Sequence, residues 1–259
     1  MNNVEVPVEP VLHVSGVRKS FNGRAALNDF SITMHPGSVH GLLGSNGSGK
    51  STALHIITGI TEADAGTVHH NGISVEHPDA RSRFGLAPDD LPLPQSVTGR
   101  EYLRLHDSLR GRDDTEWAAD FARVLRIRHA LGKPMSSYSH GMKRKVQLIC
   151  ALMHRPSLLI LDEPFRGLDP DTAGTLQKCL ELHAASGGSV LIATHDLLRA
   201  EARCEHITML HDGDTVKSGT TAQIVAEYGT LQQCFSMKTA TASTLRARDS
   251  RLSALFTAS

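Results

Sequence analysis

The sequence predicts an α/β fold: a parallel sheet carrying a glycine-rich loop, a flanking antiparallel β-subdomain, and an inserted α-helical subdomain. Three observations predict it. An apolar run at 39–43 reads as a strand, and Gly44-Ser45-Asn46-Gly47-Ser48-Gly49-Lys50-Ser51 follows it and leads into a helix over 51–58. Residues 158–161 and 190–194 are short continuous apolar runs bounded by turn signals, the pattern of parallel strands covered by helices on both faces. Between loop and strands, from about residue 89 to 156, the chain turns helical.

The elements follow in order. Residues 11–15 and 31–34 alternate like strands, and His69-His70-Asn71-Gly72-Ile73 holds the Asn-Gly signal of a tight hairpin, so an antiparallel sheet is expected beside the loop. The insertion opens with the proline-rich Leu91-Pro92-Leu93-Pro94 and continues as helices over 99–110 and 115–130, with a further apolar helix over 146–153. A helix over 171–186 separates the two buried strands. Residues 207–218, centred on Asp212-Gly213, read as a second hairpin, and 220–228 as a short helix. One domain is expected over 1–228, followed at 229–259 by a tail whose periodicity is too weak to place.

The loop's composition has a physical reason. Backbone N–H groups wrapped inward around an anion need dihedrals that a Cβ obstructs, hence the glycines. The helix N-terminus beyond adds partial positive charge, Lys50 reaches the β- and γ-phosphates, and the Ser51 hydroxyl binds Mg²⁺. Leu158-Leu159-Ile160-Leu161-Asp162-Glu163-Pro164 places two acids at the carboxyl edge of a parallel sheet, where nucleotides bind. Asp162 is assigned to Mg²⁺, directly or through water, and Glu163 to orienting the attacking water. Tyr138-Ser139-His140-Gly141 precedes an apolar helix, which puts Ser139 and the Gly141 N–H at a positive helix end; serine there is also an ordinary cap. Nucleoside triphosphate, magnesium and hydrolysis are what these groups specify together.

Composition narrows the setting. The 259 residues carry 27 Lys and Arg against 27 Asp and Glu, so no whole-chain field favours nucleic acid or an anionic membrane. Cys150, Cys179, Cys204 and Cys234 lie far apart, as reduced thiols in a cytoplasm do, and the fifteen histidines form no ligand array; His69-His70 reads as a solvated pair. The first ten residues hold two glutamates and no signal-like apolar stretch, and no run approaches the roughly 18 apolar residues of a membrane span. A soluble chain that meets a membrane only through a partner is expected.

The order of these motifs, with Ser139-His140-Gly141-Met142 standing shortly before the Asp162-Glu163 strand, resembles the ATP-binding cassette (ABC) ATPases, whose core is a P-loop NTPase fold. The resemblance covers residues 12–228. It implies that Gly44 to Thr52 is the Walker A loop, with Ser45, Asn46, Gly47, Ser48, Gly49, Lys50, Ser51 and Thr52 around the ATP phosphates, and that Asp162-Glu163 ends Walker B. Phe21 stands where an aromatic stacks on adenine, Gly167-Leu168-Asp169 resembles the D-loop, and His195 in Ala193-Thr194-His195-Asp196 resembles the switch histidine that contacts the γ-phosphate. Ser139 and Gly141 hold signature positions, which complete the ATP site of a second cassette, the same chain or a related one, in a head-to-tail dimer. One cassette without a membrane span resembles the ATPase subunit of a transporter, cytoplasmic at the inner face of the cell membrane, with a separate integral-membrane permease and no nucleic-acid partner. The Gly141-Met142-Lys143-Arg144-Lys145 run and the proline-rich loop resemble bacterial exporters more than importers. The alternative is a soluble ABC protein acting as a nucleotide-dependent switch, a class that commonly carries two cassettes, long linkers or coiled-coil insertions, none of which this chain shows.

The chain departs from the family pattern twice. After 84–88 the family usually has glutamine touching Mg²⁺ and water, and here stands Asp89, which either binds the metal more tightly or repels the γ-phosphate. In the signature, His140 and Met142 replace the first glycine and the glutamine; His140 is either solvated or a pH-sensitive contact across the dimer.

Overall fold

The computed structural model describes residues 9–89 and 92–239. The described chain begins with β1 (Leu12–Phe21), β2 (Arg24–Met34) and β3 (Val39–Leu43), then the phosphate loop and α1 (Lys50–Ile57). Next come β4 (Ala65–His70), β5 (Ile73–Ser74), the short α2 (Pro78–Ser82) and β6 (Phe84–Ala87). The helical stretch holds α3 (Gly99–Leu109), α4 (Thr115–Val124) and α5 (His140–Leu152). Then follow β7 (Leu158–Asp162), α6 (Pro170–Ala185), β8 (Ser189–Thr194), α7 (Leu197–Glu201), β9 (His206–His211), β10 (Asp214–Thr220), α8 (Thr221–Tyr228) and α9 (Leu231–Thr239).

Among the described residues, the strands form two sheets. One has the order β10-β9-β3-β8-β7-β6, parallel throughout except at the β10 edge; the other is the antiparallel β2-β1-β4-β5. Side chains alternate across a strand, and here the alternation divides two cores. Leu42, Leu158, Ile160, Leu191 and Ala193 pack on one face with α1 and the antiparallel sheet. Leu43, Leu159, Leu161, Val190 and Ile192 pack on the other with α5 and α6. Burial on both faces is why these strands read as unbroken apolar runs.

Both predicted hairpin turns form, because Asn71 with Gly72 and Asp212 with Gly213 take the consecutive positive φ values that a tight hairpin demands. At α3, Thr98 and Glu101 form a reciprocal capping box. Other expectations need correction. The helix predicted over 115–130 stops at Val124, because Arg126 turns to φ 55° and the chain resumes only as a single 3-10 turn at Arg128–Ala130. β1 runs on to Phe21, its alternation hidden from sequence reading by irregularities after Val14, Val17 and Lys19. The apolar helix expected over 146–153 starts at His140, one turn and more earlier. His70 is fully buried against the Phe84 ring rather than solvated. The tail contains α9, whose pattern was faint because Leu231 and Cys234 are the residues it buries. The expectations for residues 1–8, for Asp90 and Leu91 of the proline-rich loop, and for 240–259 lie outside the described residues.

Candidate active site

Strand order positions the site. β8 lies between β3 and β7, so the residues that follow it stand between the phosphate loop and the carboxylates at the end of β7. A cavity of about 890 Å³ opens there, bounded by the loop residues Asn46, Gly47, Gly49, Lys50, Ser51 and Thr52 and by Asp89, Asp162 and Glu163. Of the remaining loop residues, Ser45 is exposed, while the Ser48 hydroxyl is buried inside the loop without a hydrogen-bond partner. Gly49 caps α1 at φ 108°, and a Cβ there would meet the Ala26 carbonyl at 2.6 Å.

Lys50 is buried, and its Nζ donates to the carbonyls of Gly44 at 2.7 Å and Ser45 at 3.0 Å. Burial pushes its ammonium pKa down, and the charges of Glu163 and Asp162 pull it back up. The Ser51 hydroxyl donates to Asp162 Oδ2 at 3.3 Å. Burial first, then the charges of Asp89 and Glu163, raise the Asp162 carboxyl above the usual range. A hydroxyl and a carboxylate adjoining within an acid-rich cavity suit a hard divalent cation, which takes oxygen ligands.

Glu163 follows β7 with φ 47°, a left-handed backbone that is uncommon for a side chain of this size. Its N–H still donates to the Ala193 carbonyl at 2.9 Å, so the parallel ladder continues one residue past the strand. Its carboxylate thereby meets the end of β8. Oε2 accepts from the Thr194 hydroxyl at 2.8 Å; Oε1 accepts from the His195 N–H at 2.9 Å and lies 2.6 Å from His195 Nδ1. Glu163 and His195, far apart in sequence, are thus direct partners.

Asp89 reaches the cavity too, but its carboxylate is ion-paired with Arg166 Nη1 at 2.5 Å. Beside it lies Arg144, 2% exposed, which donates to the carbonyls of Pro88 at 2.6 Å and of Asp162. One guanidinium on α5 therefore ties together the ends of β6 and β7. In the sequence Arg144 stands in a basic run between Lys143 and Lys145. Its helical spacing to Leu148 and Ala151, both buried, was the signal that it lies on the inner face. Arg166 and Thr194 carried no comparable signal.

Other predicted residues stand apart from this cavity. Ser139 caps α5, its hydroxyl accepting from the Met142 N–H at 3.3 Å. Gly141 lies against the Gly167 carbonyl, where a Cβ would approach to 2.7 Å. Asp169 caps α6 through the Thr172 N–H and hydroxyl, which hold its carboxyl down at about 2, and lies 3.6 Å from Lys145. The residues expected from the resemblance to be signature and D-loop thus meet through Gly141 and Gly167, and the cavity lining includes neither Ser139, Gly141 nor Asp169. Phe21 is 49% exposed at the β1–β2 turn and does not line the cavity; Ala26 of the same hairpin does. His140 is exposed beside Gly167.

Comparison with known proteins gives a consistent family. The profile of the ABC transporter family matches residues 27–166. The ABC-type transporter ATP-binding protein EcsA of Bacillus subtilis is 32% identical, covering 85% of this chain and 91% of its own length. The Nod factor export ATP-binding protein I of Sinorhizobium fredii is 31% identical over 83% of this chain and 64% of that one. Among solved structures, the ATP-binding subunit of an ABC transporter superposes with a TM-score of 0.83 at 30% identity, covering 88% of this chain and 99% of the other.

Proposed function

This chain belongs to the ABC transporter family as an ATP-binding, ATP-hydrolysing subunit, and we propose that it drives a separate membrane permease through ATP-dependent closure of a head-to-tail cassette pair. Among the described residues no helix is long and apolar enough to cross a membrane, and this reading gives the crossing to a partner. Such a partner places the chain at the cytoplasmic face of the cell membrane.

The observation that carries the reading is the division of the motifs. Lys50, Ser51, Asp162 and Glu163 share one cavity, whereas Ser139, Gly141 and Asp169 cluster outside it. A signature that does not face its own phosphate loop is useful when it faces a second cassette's. In the resulting site Lys50, with two of its three N–H donors on the Gly44 and Ser45 carbonyls, neutralises the β- and γ-phosphates. Mg²⁺ held by Ser51 and Asp162 supplies charge neutralisation of the phosphoryl oxygens. Glu163 orients the attacking water and accepts its proton. His195 positions Glu163 and faces the γ-phosphate; Ser139 and Gly141 of the second cassette close over it. Phe21 is assigned to the adenine edge. Export is favoured by the Nod factor exporter relatives and by a relative named for linearmycin resistance.

Co-purification tests the reading. Tagged chain extracted in mild detergent should retain a multi-helix membrane protein, and that complex should hydrolyse ATP. Recovery of the chain with ribosomal or DNA-bound partners instead would favour a nucleotide-dependent switch.

A further inference from the structure

Asp89 stands where the family resemblance implies a glutamine, and in the structure it is ion-paired. Asp89 and Arg166 lie 77 residues apart in sequence and meet at 2.5 Å, with the carboxylate 18% and the guanidinium 57% exposed. Asp89 lines the same cavity as Lys50, Ser51, Asp162 and Glu163. Three acids, Asp89, Asp162 and Glu163, therefore line a cavity that must admit a polyanion.

We propose that Arg166 is a positioning residue for the nucleotide: it holds Asp89 in an ion pair, so that the Asp89 carboxylate does not meet the triphosphate as an uncompensated charge. The pair does with two opposite charges what a single amide does with none. The backbone there does not depend on Arg166. Arg144 fixes the Pro88 carbonyl from α5 at 2.6 Å, and Arg166 itself sits in the turn whose N–H donates to the Glu163 carbonyl at 3.1 Å. Replacing the Arg166 side chain therefore changes charge at the cavity rim while the two strand ends keep their anchors. The inference rests on ATP binding at the phosphate loop. It assigns Asp89 away from the metal, in contrast with the expectation read from its sequence position.

Calorimetric titration of the full chain with ATP, with and without Mg²⁺, tests the pair. Arg166→Ala is expected to weaken ATP binding about fivefold, Asp89→Gln to tighten it by a similar factor, and the double variant to return within about twofold of wild type, in keeping with the coupling found between contacting charged residues. Opposite signs with mutual rescue do not arise from a pair that merely braces the fold. Arg166→Lys keeps the charge and should restore wild-type affinity, and the Arg166→Ala deficit should shrink as salt rises. Mg²⁺ half-saturation should be unchanged in Asp89→Gln; a clear increase would return Asp89 to the metal and overturn the proposal. Unchanged affinity in Arg166→Ala, or a deficit that Asp89→Gln does not relieve, also overturns it. Lys50→Ala separates the levels: if it loses ATP while Arg166→Ala does not, the pair alone is refuted. If Lys50→Ala also binds normally, the phosphate-loop reading falls with it.

Discussion

Glu163 and His195 are joined twice: the Glu163 Oε1 atom accepts the His195 N–H at 2.9 Å and lies 2.6 Å from the imidazole Nδ1. With the Thr194 hydroxyl on Oε2 at 2.8 Å, the end of β8 fixes the carboxylate that follows β7. A group so held is preorganised to orient water, and its charge is what hydrolysis would lose on amidation.

Glu163→Gln should therefore bind ATP as wild type does and lose at least about 100-fold in hydrolysis, within the range of general-base contributions. Bound but uncleaved ATP should accumulate a dimer. Phosphate release and size exclusion with ATP measure both, and a monomer with wild-type turnover would remove Glu163 from its assigned role.

Arg144→Ala should destabilise the chain by about 2–3 kcal/mol, because it leaves the Pro88 and Asp162 carbonyls without their donor in a buried place. Denaturant unfolding measures it. Turnover should fall as well, since the ends of β6 and β7 lose a common anchor. A loss below about 0.5 kcal/mol would mean that water replaces the guanidinium freely.

Acid should weaken the fold through buried histidines. Burial pushes His40 down to about 3 and His154 to about 4, with smaller contributions from His206 and Arg110 respectively, and burial also lowers His70. The unfolded imidazole titrates near 6.5. The contributions of His40 and His154 are thus fully present above about pH 6.5 and are lost as pH falls from there toward their folded values, roughly 1–2 kcal/mol per group by about pH 5, and that of His70 is lost in the same direction. His40→Asn, which can still bond the Thr208 hydroxyl that His40 meets at 2.9 Å, should lose less stability than wild type over that interval. Parallel losses in the two proteins would show that His40 is not a source.

Much of this architecture was legible because local chemistry and burial agreed. The strand–loop–helix around Lys50, the carboxylates after β7 and the two hairpins each combine a pattern with residues whose backbone demands are narrow. What escaped reading depends on contacts across the fold. The bulges of β1 break an alternation that reading relies on, and Arg126 ends a helix that its neighbours would continue. The Asp89–Arg166 pair joins two turns that only the sheet order brings together. Arg144 was hidden among lysines, although its position on the apolar face of α5 distinguishes it from both.

The claim that an ATP site is completed across two cassettes is tested most directly by mixing. Gly141→Asp disables a signature, where the Gly167 carbonyl leaves a Cβ only 2.7 Å, and Lys50→Ala disables a phosphate loop. A pair of the two subunits holds one site with an intact loop from the first and an intact signature from the second. Size exclusion with ATP should show association in the mixture and in neither variant alone, with hydrolysis recovered in the transporter carrying one copy of each. A mixture that stays monomeric under conditions where the Glu163→Gln protein dimerises would contradict the account.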